Sequence, residues 1–171
     1  DKASFEEIID NLIADEPERL FRRTTQVEAP LRLAGALKQY IELGGNGKAV
    51  WKKYGDTLKR ILESYLPGKR AEVAMQPNGL LWAQLDGWAL SWMNAYIDGR
   101  PVTERAGYQV ETNAFWYHSI SITLDMEKKY GGDDKEFIGK WTRIKDLVKQ
   151  NFQPMFWNPR AGYLADYVDN A

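Results

Sequence analysis

The chain contains no cysteine and only one histidine among its 171 residues. The absence of cysteine excludes disulfides, thiolate metal sites and thiol nucleophiles, and it fits a reducing compartment such as the cytoplasm. A metal site built from several imidazoles is excluded too, because His118 stands alone. A Ser/His/Asp hydrolase would have to use His118, and no nucleophile-elbow motif accompanies it. We therefore expect no metal and no cofactor.

The sequence also lacks an excess of charge of either sign and any long apolar run. Lys and Arg number 23 against 24 Asp and Glu, so no basic surface is available to attract nucleic acid or an anionic membrane. No run of 18 apolar residues could cross a bilayer, and the opening DKASFEEIID lacks the features of a secretion signal. The length suits one domain. These features predict a soluble, cytoplasmic protein with a neutral partner.

Helical periodicity dominates the chain outside residues 67–110. A capping-box pattern at Ser4 predicts a short first helix, Gly55 is a candidate kink, and Pro154 is expected to end the last helix. The predicted helices cover about residues 4–13, 28–43, 48–66, 111–130 and 133–153. The expected fold is all-α, with two helical hairpins, 28–66 and 111–153, joined by a long irregular loop over 67–110.

The stretch 79–117, GLLWAQLDGWALSWMNAYIDGRPVTERAGYQVETNAFWY, carries four of the seven tryptophans among carboxylates, amides and arginine. A sugar ring has an apolar face that stacks on an aromatic ring and a hydroxyl rim that needs carboxylates, amides or guanidinium groups. Long loops in compact domains are usually functional or disordered, and the aromatic content argues against disorder. The loop is therefore predicted to bear a site for a sugar.

Ordered motifs in this stretch are similar to those of one enzyme family. They are GLLWA at 79–83, LSWMNA at 90–95, VTER at 102–105 and VETNAFWY at 110–117, with VEAPL at 27–31, FWN at 156–158 and GYL at 162–164. They resemble the C-terminal catalytic domain of glycogen debranching enzymes, the amylo-α-1,6-glucosidases, which carry GLLYA, LTWMDA, VTPR, VEINALWY, VDAPL, FWN and GYL. The resemblance runs from about Thr25 to the C-terminus, and the first 24 residues contain no motif that we can assign.

The resemblance implies an (α/α)6 toroid, in which six helical hairpins form a barrel and the loops at one end build a sugar site. The predicted helices supply about half of such a barrel. We therefore expect residues 1–171 to be a single domain that forms part of a larger (α/α)6 catalytic domain, or a shortened relative. The opening with Asp rather than Met fits a chain cut from something longer.

The family is expected to hydrolyse α-1,6 branch linkages with inversion, using one carboxylic acid and one carboxylate that activates water. Asn94 stands where the family carries the acidic aspartate, and an amide cannot donate that proton. Asp86 and Glu104 are alternative acids, although both also fit solvated loop charges. The second family carboxylate is expected beyond this chain, so the 171-residue chain alone should be inactive. Three interpretations stay open: a glycoside hydrolase, a glucan-binding module without turnover, and a structural helical fragment.

The resemblance and the residue types together suggest a set of sugar-binding side chains, each with a structural alternative. Arg105 could hold a sugar hydroxyl or pair with Glu111, Glu111 could cap its helix, and the tryptophans could be core residues. The candidate substrate-binding residues are Glu28, Trp82, Trp92, Arg105, Glu111, Asn113 and Trp116. The expected partner is an α-glucan or malto-oligosaccharide, with no nucleic acid, no membrane, and pairing of two copies if an apolar helical face is exposed.

Overall fold

The computed structural model describes residues 2–13 and 26–169, and within them the chain is mostly helical. The described helices are α1 (Lys2–Ile13), α2 (Arg32–Glu42), α3 (Gly47–Ser64), α4 (Val110–Tyr130) and α5 (Lys135–Phe156). The described strands are β1 (Val73–Met75), β2 (Leu81–Ala83), β3 (Tyr96–Ile97), β4 (Arg100–Pro101), β5 (Tyr108–Gln109), β6 (Trp157–Asn158), β7 (Tyr163–Leu164) and β8 (Tyr167–Val168). The prediction of a mostly helical chain is confirmed.

Helices α2 to α5, hereafter the scaffold, form two hairpins, α2–α3 and α4–α5. Helix α4 packs against α2, α3 and α5. Because the helices alternate in direction, the N-terminal ends of α2 and α4 lie at the same end as the C-terminal ends of α3 and α5. The hydroxyl of Tyr65, just after α3, donates to the carbonyl of Val27, just before α2, at 2.5 Å. We call this end, where the long loop and the C-terminal tail also lie, the loop end.

The core of the scaffold is aromatic. Trp116 on α4 lies edge-on to Trp141 on α5, with ring centroids 5.6 Å apart, and Tyr65 packs on its other side at 5.4 Å. All three side chains are fully buried. Trp51 on α3 and Trp141 on α5 both lie on the buried faces of their helices. The burial of several large rings at one point supplies much of the hydrophobic stabilisation of the scaffold.

Two helices begin at side-chain caps. The side chain of Asn46 accepts a hydrogen bond from the amide of Ala49 at 3.1 Å, and that of Asp134 accepts from Phe137 at 3.0 Å. Each cap satisfies an amide that lacks a partner within the first helical turn. The helix expected from about residue 28 begins only at Arg32, because residues 26–31 form successive turns before it.

Two local predictions about the helices were wrong. Helix α1 begins at Lys2, so Ser4 lies inside it rather than capping it. The kink at Gly55 stays a prediction: helix α3 continues through this residue, and a side chain there would meet the ring of Trp51 at 2.9 Å, so the glycine makes room for an aromatic neighbour. Helix α5 continues past Pro154 to Phe156; proline removes only one hydrogen bond there, to the exposed Gln150, whose carbonyl water can reach.

The loop 67–110 and the tail contain short antiparallel pairs rather than only turns. Within the loop, β1 pairs with β2 and β3 with β4; the tail contains the hairpin β6–β7, and β8 pairs back onto β5. Gly107 has a φ of +132°, and a side chain there would lie 2.3 Å from the carbonyl oxygen of Val168. Glycine at this position therefore lets the tail cross directly over the loop.

Helix α1 packs on the outside of the first scaffold hairpin. The ring of Phe5 stacks on Tyr40 with centroids 4.7 Å apart, and the Tyr40 hydroxyl donates to Glu6 at 2.9 Å. Lys53 on α3 donates to Asp10 at 2.6 Å. These contacts hold α1 against the scaffold through both apolar and charged groups.

Candidate functional site

A buried arginine organises the loop end. Arg105 is only 3% exposed, and it forms a two-pronged ion pair with Glu111 at the start of α4, with Nη2 to Oε2 at 2.7 Å. Its Nη1 also donates to the Ser91 hydroxyl at 3.1 Å, and its Nη2 and Nε lie 2.9 and 2.8 Å from the Asp166 carboxylate. Arg105 therefore joins the loop, the scaffold and the tail in one cluster.

The protonation and donor groups of Arg105 are fixed by this cluster. Burial opposes its charge, but the carboxylates of Glu111 and Asp166 outweigh that effect and raise the pKa of Arg105. Nη1 and Nη2 donate to Ser91, Glu111 and Asp166, while the buried Nε lies 2.8 Å from the Asp166 carboxylate without hydrogen-bond geometry. Of the two roles that the sequence left open for Arg105, the geometry favours pairing with Glu111.

Asn113 holds strand β2 against α4 and is fully buried. Its side-chain oxygen accepts from the amide of Leu81 at 2.7 Å, and its nitrogen donates to the carbonyls of Leu81 and Gln109, both at 3.0 Å. Both amide hydrogens and one oxygen lone pair are thus used within the protein. Asn113 fixes the backbone of the loop, and its side chain is fully buried.

Trp116 was a candidate for stacking on a sugar, but the structure buries it in the core. Its ring is fully buried between Tyr65 and Trp141, and its indole N–H donates to the carbonyl of Gly79 at 3.0 Å. Helical spacing turns this side chain toward α5 rather than toward the loop end. Trp116 therefore belongs to the core, the alternative that burial statistics for tryptophan favour.

Glu28 is fully buried without a normal hydrogen bond to either carboxylate oxygen. Arg32 is the charged neighbour, with Nη2 3.5 Å from Oε1, and half of its side chain is exposed. Burial raises the pKa of Glu28; Arg32 and the backbone amide of Trp92 oppose the rise, and Glu111 adds to it. A buried carboxylate with incomplete pairing is costly, so Glu28 stands out as an unusual group directly behind the Trp92 segment.

The remaining candidates lie at the surface of the loop end. Trp92 is 53% exposed, and Asn94, two residues on, is also exposed. Trp82 is half-buried, with its ring edge-on to Tyr108 at 5.0 Å. Hydrogen bonds fix the segment that carries Trp92 and Asn94. The amide of Val27 donates to the carbonyl of Leu90 at 2.8 Å, and the Ser91 hydroxyl accepts from both Arg105 and the amide of Met93.

Asp86 and Glu104, the alternative acids, face one shared cleft beside this segment. Both carboxylates are exposed to solvent, and Trp88 and Leu90 line the same cleft. The structure therefore brings Asp86 and Glu104 to one cleft, which Glu28 and Glu111 do not line.

Comparison with known proteins decides the family of the chain. A family model described as amylo-alpha-1,6-glucosidase matches residues 4–171. The chain belongs to the amylo-α-1,6-glucosidase family. The search of curated proteins found no match. The family match extends to residue 4, so it includes most of the first 24 residues, for which the motifs had given no assignment.

Membership of the amylo-α-1,6-glucosidase family makes this a glycogen-debranching-type glycoside hydrolase domain. Within residues 2–13 and 26–169, no set of three or more His, Asp or Glu side chains could hold a metal ion. In the same part of the chain, no helix has both the length and the apolar character needed to cross a membrane.

Three residues of the loop end were not among the candidates drawn from the sequence. Asp166 lies 61 residues after Arg105, and no motif linked the two. Ser91 lies within the motif LSWMNA and Trp88 is one of the four clustered tryptophans, but neither pattern predicted a role for the residue itself. Trp88 is 50% exposed, which distinguishes it from the buried rings of the scaffold and could not be read from its sequence neighbours.

Proposed function

We propose that this amylo-α-1,6-glucosidase family domain binds an α-glucan or malto-oligosaccharide at the loop end. The observation that carries the proposal is the position of Trp92, a half-exposed ring with Asn94 beside it on a segment fixed by buried groups. An indole face held open to solvent fits the apolar face of a pyranose, and an amide can both donate to and accept from its hydroxyls.

The support beneath Trp92 favours a binding surface that exists before the ligand arrives. Ser91 is buried and held by Arg105, while Leu90 accepts a hydrogen bond from Val27. A site that is already ordered loses less conformational entropy on binding, so more of the stacking energy contributes to affinity. The exposed Asn94 lies on this same fixed segment.

We place the two hairpins within an (α/α)6 toroid, with the loop end at the sugar-binding mouth. All the candidate residues that contact each other lie at this end of the scaffold, as such a barrel requires. Ile8 and Leu147 are the exposed large apolar side chains on the described helices, so pairing of two copies through a helical face has little apolar area to support it. Dimerisation stays a prediction.

Inverting hydrolysis of α-1,6 linkages is the second candidate function, and the carboxylates at the loop end favour it. Glu111 and Asp166 both contact the buried Arg105, Glu28 interacts with Glu111, and the pKa of Glu28 is raised, as a proton donor requires. Asn94 cannot act as the acid, and Glu28 is fully buried. Binding is therefore better supported than turnover.

A titration calorimetry experiment tests binding. We expect the wild-type chain to bind maltoheptaose, Trp92→Ala to weaken binding at least about tenfold, which is ~1.4 kcal/mol, and Trp92→Phe to retain much of the affinity. Leu43→Ala is the control, because Leu43 is 76% exposed at the opposite end of α2. Equal affinity for Trp92→Ala and wild type would remove the proposed site.

Glucose release from a branched dextrin tests turnover. We expect no release by the 171-residue chain, because the second family carboxylate is expected beyond it, so the assay compares the full-length protein with its Asn94→Asp variant. Asn94→Asp is the informative variant, since it restores the residue that the family motif carries. Release by Asn94→Asp alone would show that the natural chain is a binding module, whereas release by the wild type would identify it as a hydrolase with a different acid.

A further inference from the structure

A cleft lies beside the proposed site and is distinct from it. Residues 83–86 and 104–106 line the cleft together with Trp88 and Leu90, and its volume is about 80 Å³. Leu90 is buried there, while Asp86 and Glu104 carry carboxylates exposed to solvent.

The turn that carries Trp88 is held on both sides. The amide of Trp88 donates to the carbonyl of Leu85 at 3.0 Å, and the amide of Ala89 donates to the hydroxyl of Tyr96 at 2.8 Å. Ala83, before the turn, exchanges backbone hydrogen bonds with Gly107 at 3.0 and 2.8 Å. The position of Trp88 is therefore set by the fold rather than by chance packing of a free loop.

An indole ring that is half exposed on a fixed turn gives up hydrophobic stabilisation that burial would supply. Trp88 is 50% exposed although Leu90, two residues on, is almost completely buried. Carboxylate oxygens of the cleft can each accept hydrogen bonds from neighbouring hydroxyls. A flat apolar face with acceptors around it has the chemistry of a pyranose subsite.

We propose that the cleft at Trp88 is a second sugar subsite, which binds a pyranose unit of the same α-glucan chain whose neighbouring unit stacks on Trp92. Asp86 and Glu104 accept hydrogen bonds from its hydroxyls, and neither acts as an acid. The inference rests on glucan binding at Trp92, as proposed above. It adds a chain-length preference that the site at Trp92 alone would not produce.

Distance supports a single ligand that spans both rings. Trp88 and Trp92 are four residues apart, so their Cα atoms are separated by at most about 14 Å at ~3.5 Å per residue. A few linked pyranose units cover that span. Arg105 borders the cleft through residues 104–106 and holds Ser91 beside Trp92, so the two subsites share this residue.

The test compares ligand length in calorimetry with the full chain. We expect Trp88→Ala to weaken binding of maltoheptaose about tenfold and to leave maltose unchanged, whereas Trp92→Ala should weaken both. Trp88→Phe should recover most of the affinity, because it keeps a flat ring, and Asp86→Asn should weaken only the longer ligand. Leu43→Ala serves again as the control, and circular dichroism checks that each variant is folded.

The outcomes separate the two proposals. If Trp92→Ala weakens binding but Trp88→Ala equals wild type for both ligands, the second subsite is wrong and the site at Trp92 stands. If Trp88→Ala weakens maltose as much as maltoheptaose, Trp88 belongs to the same subsite as Trp92, which also overturns the inference. If neither variant changes binding, both proposals fail.

Discussion

The exposed fraction of the ring distinguishes the tryptophans of the scaffold, Trp116 and Trp141, from those of the loop, Trp88 and Trp92. The scaffold pair is completely buried, whereas the loop rings are 50% and 53% exposed. The backbone is ordered in both regions, because hydrogen bonds hold the loop segment at Ala89, Leu90 and Ser91. Order and burial are therefore separate properties in this molecule.

The comparison shows how one residue type serves two purposes. A buried ring contributes to folding, because its apolar surface is removed from water in the folded state alone. An exposed ring on an ordered segment contributes little to folding and keeps its surface for a ligand. Substitutions in the two regions should therefore divide cleanly between stability and affinity.

The largest effect is expected at the buried ring of Trp116. Trp116→Ala should lower the free energy of unfolding by about 3–5 kcal/mol, because it leaves a cavity beside Trp141 and Tyr65 and an unpaired carbonyl at Gly79. Trp92→Ala should change it by less than about 0.5 kcal/mol. Urea unfolding followed by circular dichroism measures both. Similar losses for the two variants would abolish the distinction between scaffold and loop.

A smaller effect is expected at Arg105, which connects the two regions. Arg105→Lys keeps the charge but loses the fork that reaches Glu111, Ser91 and Asp166 together, so we expect a loss of about 2 kcal/mol in unfolding free energy. Maltoheptaose affinity should fall as well, because the Trp92 segment loses its support. Arg143→Lys on the exposed surface of α5 is the matched control. Unchanged stability in Arg105→Lys would mean that the loop is held by other contacts.

The smallest effect is expected at Glu28 and depends on pH. Because the folded-state pKa of Glu28 is raised above 4.5, the folded protein retains this proton after the unfolded chain has lost it. Wild-type stability should therefore fall as pH rises from about 4.5 to the folded-state pKa and show no further contribution from Glu28 above it. Glu28→Gln cannot ionise, so its stability relative to wild type should rise across that window.

The control for Glu28 is Glu42→Gln, whose side chain is 63% exposed on α2. Thermal unfolding of the three proteins between pH 4 and pH 8 gives the comparison. A stability difference between Glu28→Gln and wild type that does not vary with pH would show that Glu28 titrates as an ordinary carboxyl.

Much of the scaffold could be predicted from the sequence, because apolar residues recur at helical spacing and Gly-rich turns separate the helices. Family motifs also located the loop end. The position of Trp116 could not be predicted in the same way, since α4 packs against three helices and buries polar as well as apolar residues around its circumference. Where a helix lacks one apolar face, spacing alone does not tell which side chain faces a ligand.

The contacts that organise the candidate site were harder to predict. Asp166 and Gly107 act across a crossing of the tail over the loop, and no local pattern reports a contact between residues so far apart. The role of Asn113 could not be decided from the sequence, because a buried amide that clamps a strand has the same sequence signature as one that binds sugar.

The dependence of Arg105 on Asp166 sets the order in which the site can form during synthesis. Asp166 lies 61 residues after Arg105, and translation proceeds at about 5–20 residues per second, so the ribosome needs roughly 3–12 s to make the second partner after the first. Strand β8, which pairs with β5, appears at the same late moment. The scaffold hairpin of α2 and α3 has ample time to fold first, whereas the loop 67–110 must wait, exposed on the nascent chain, for the tail.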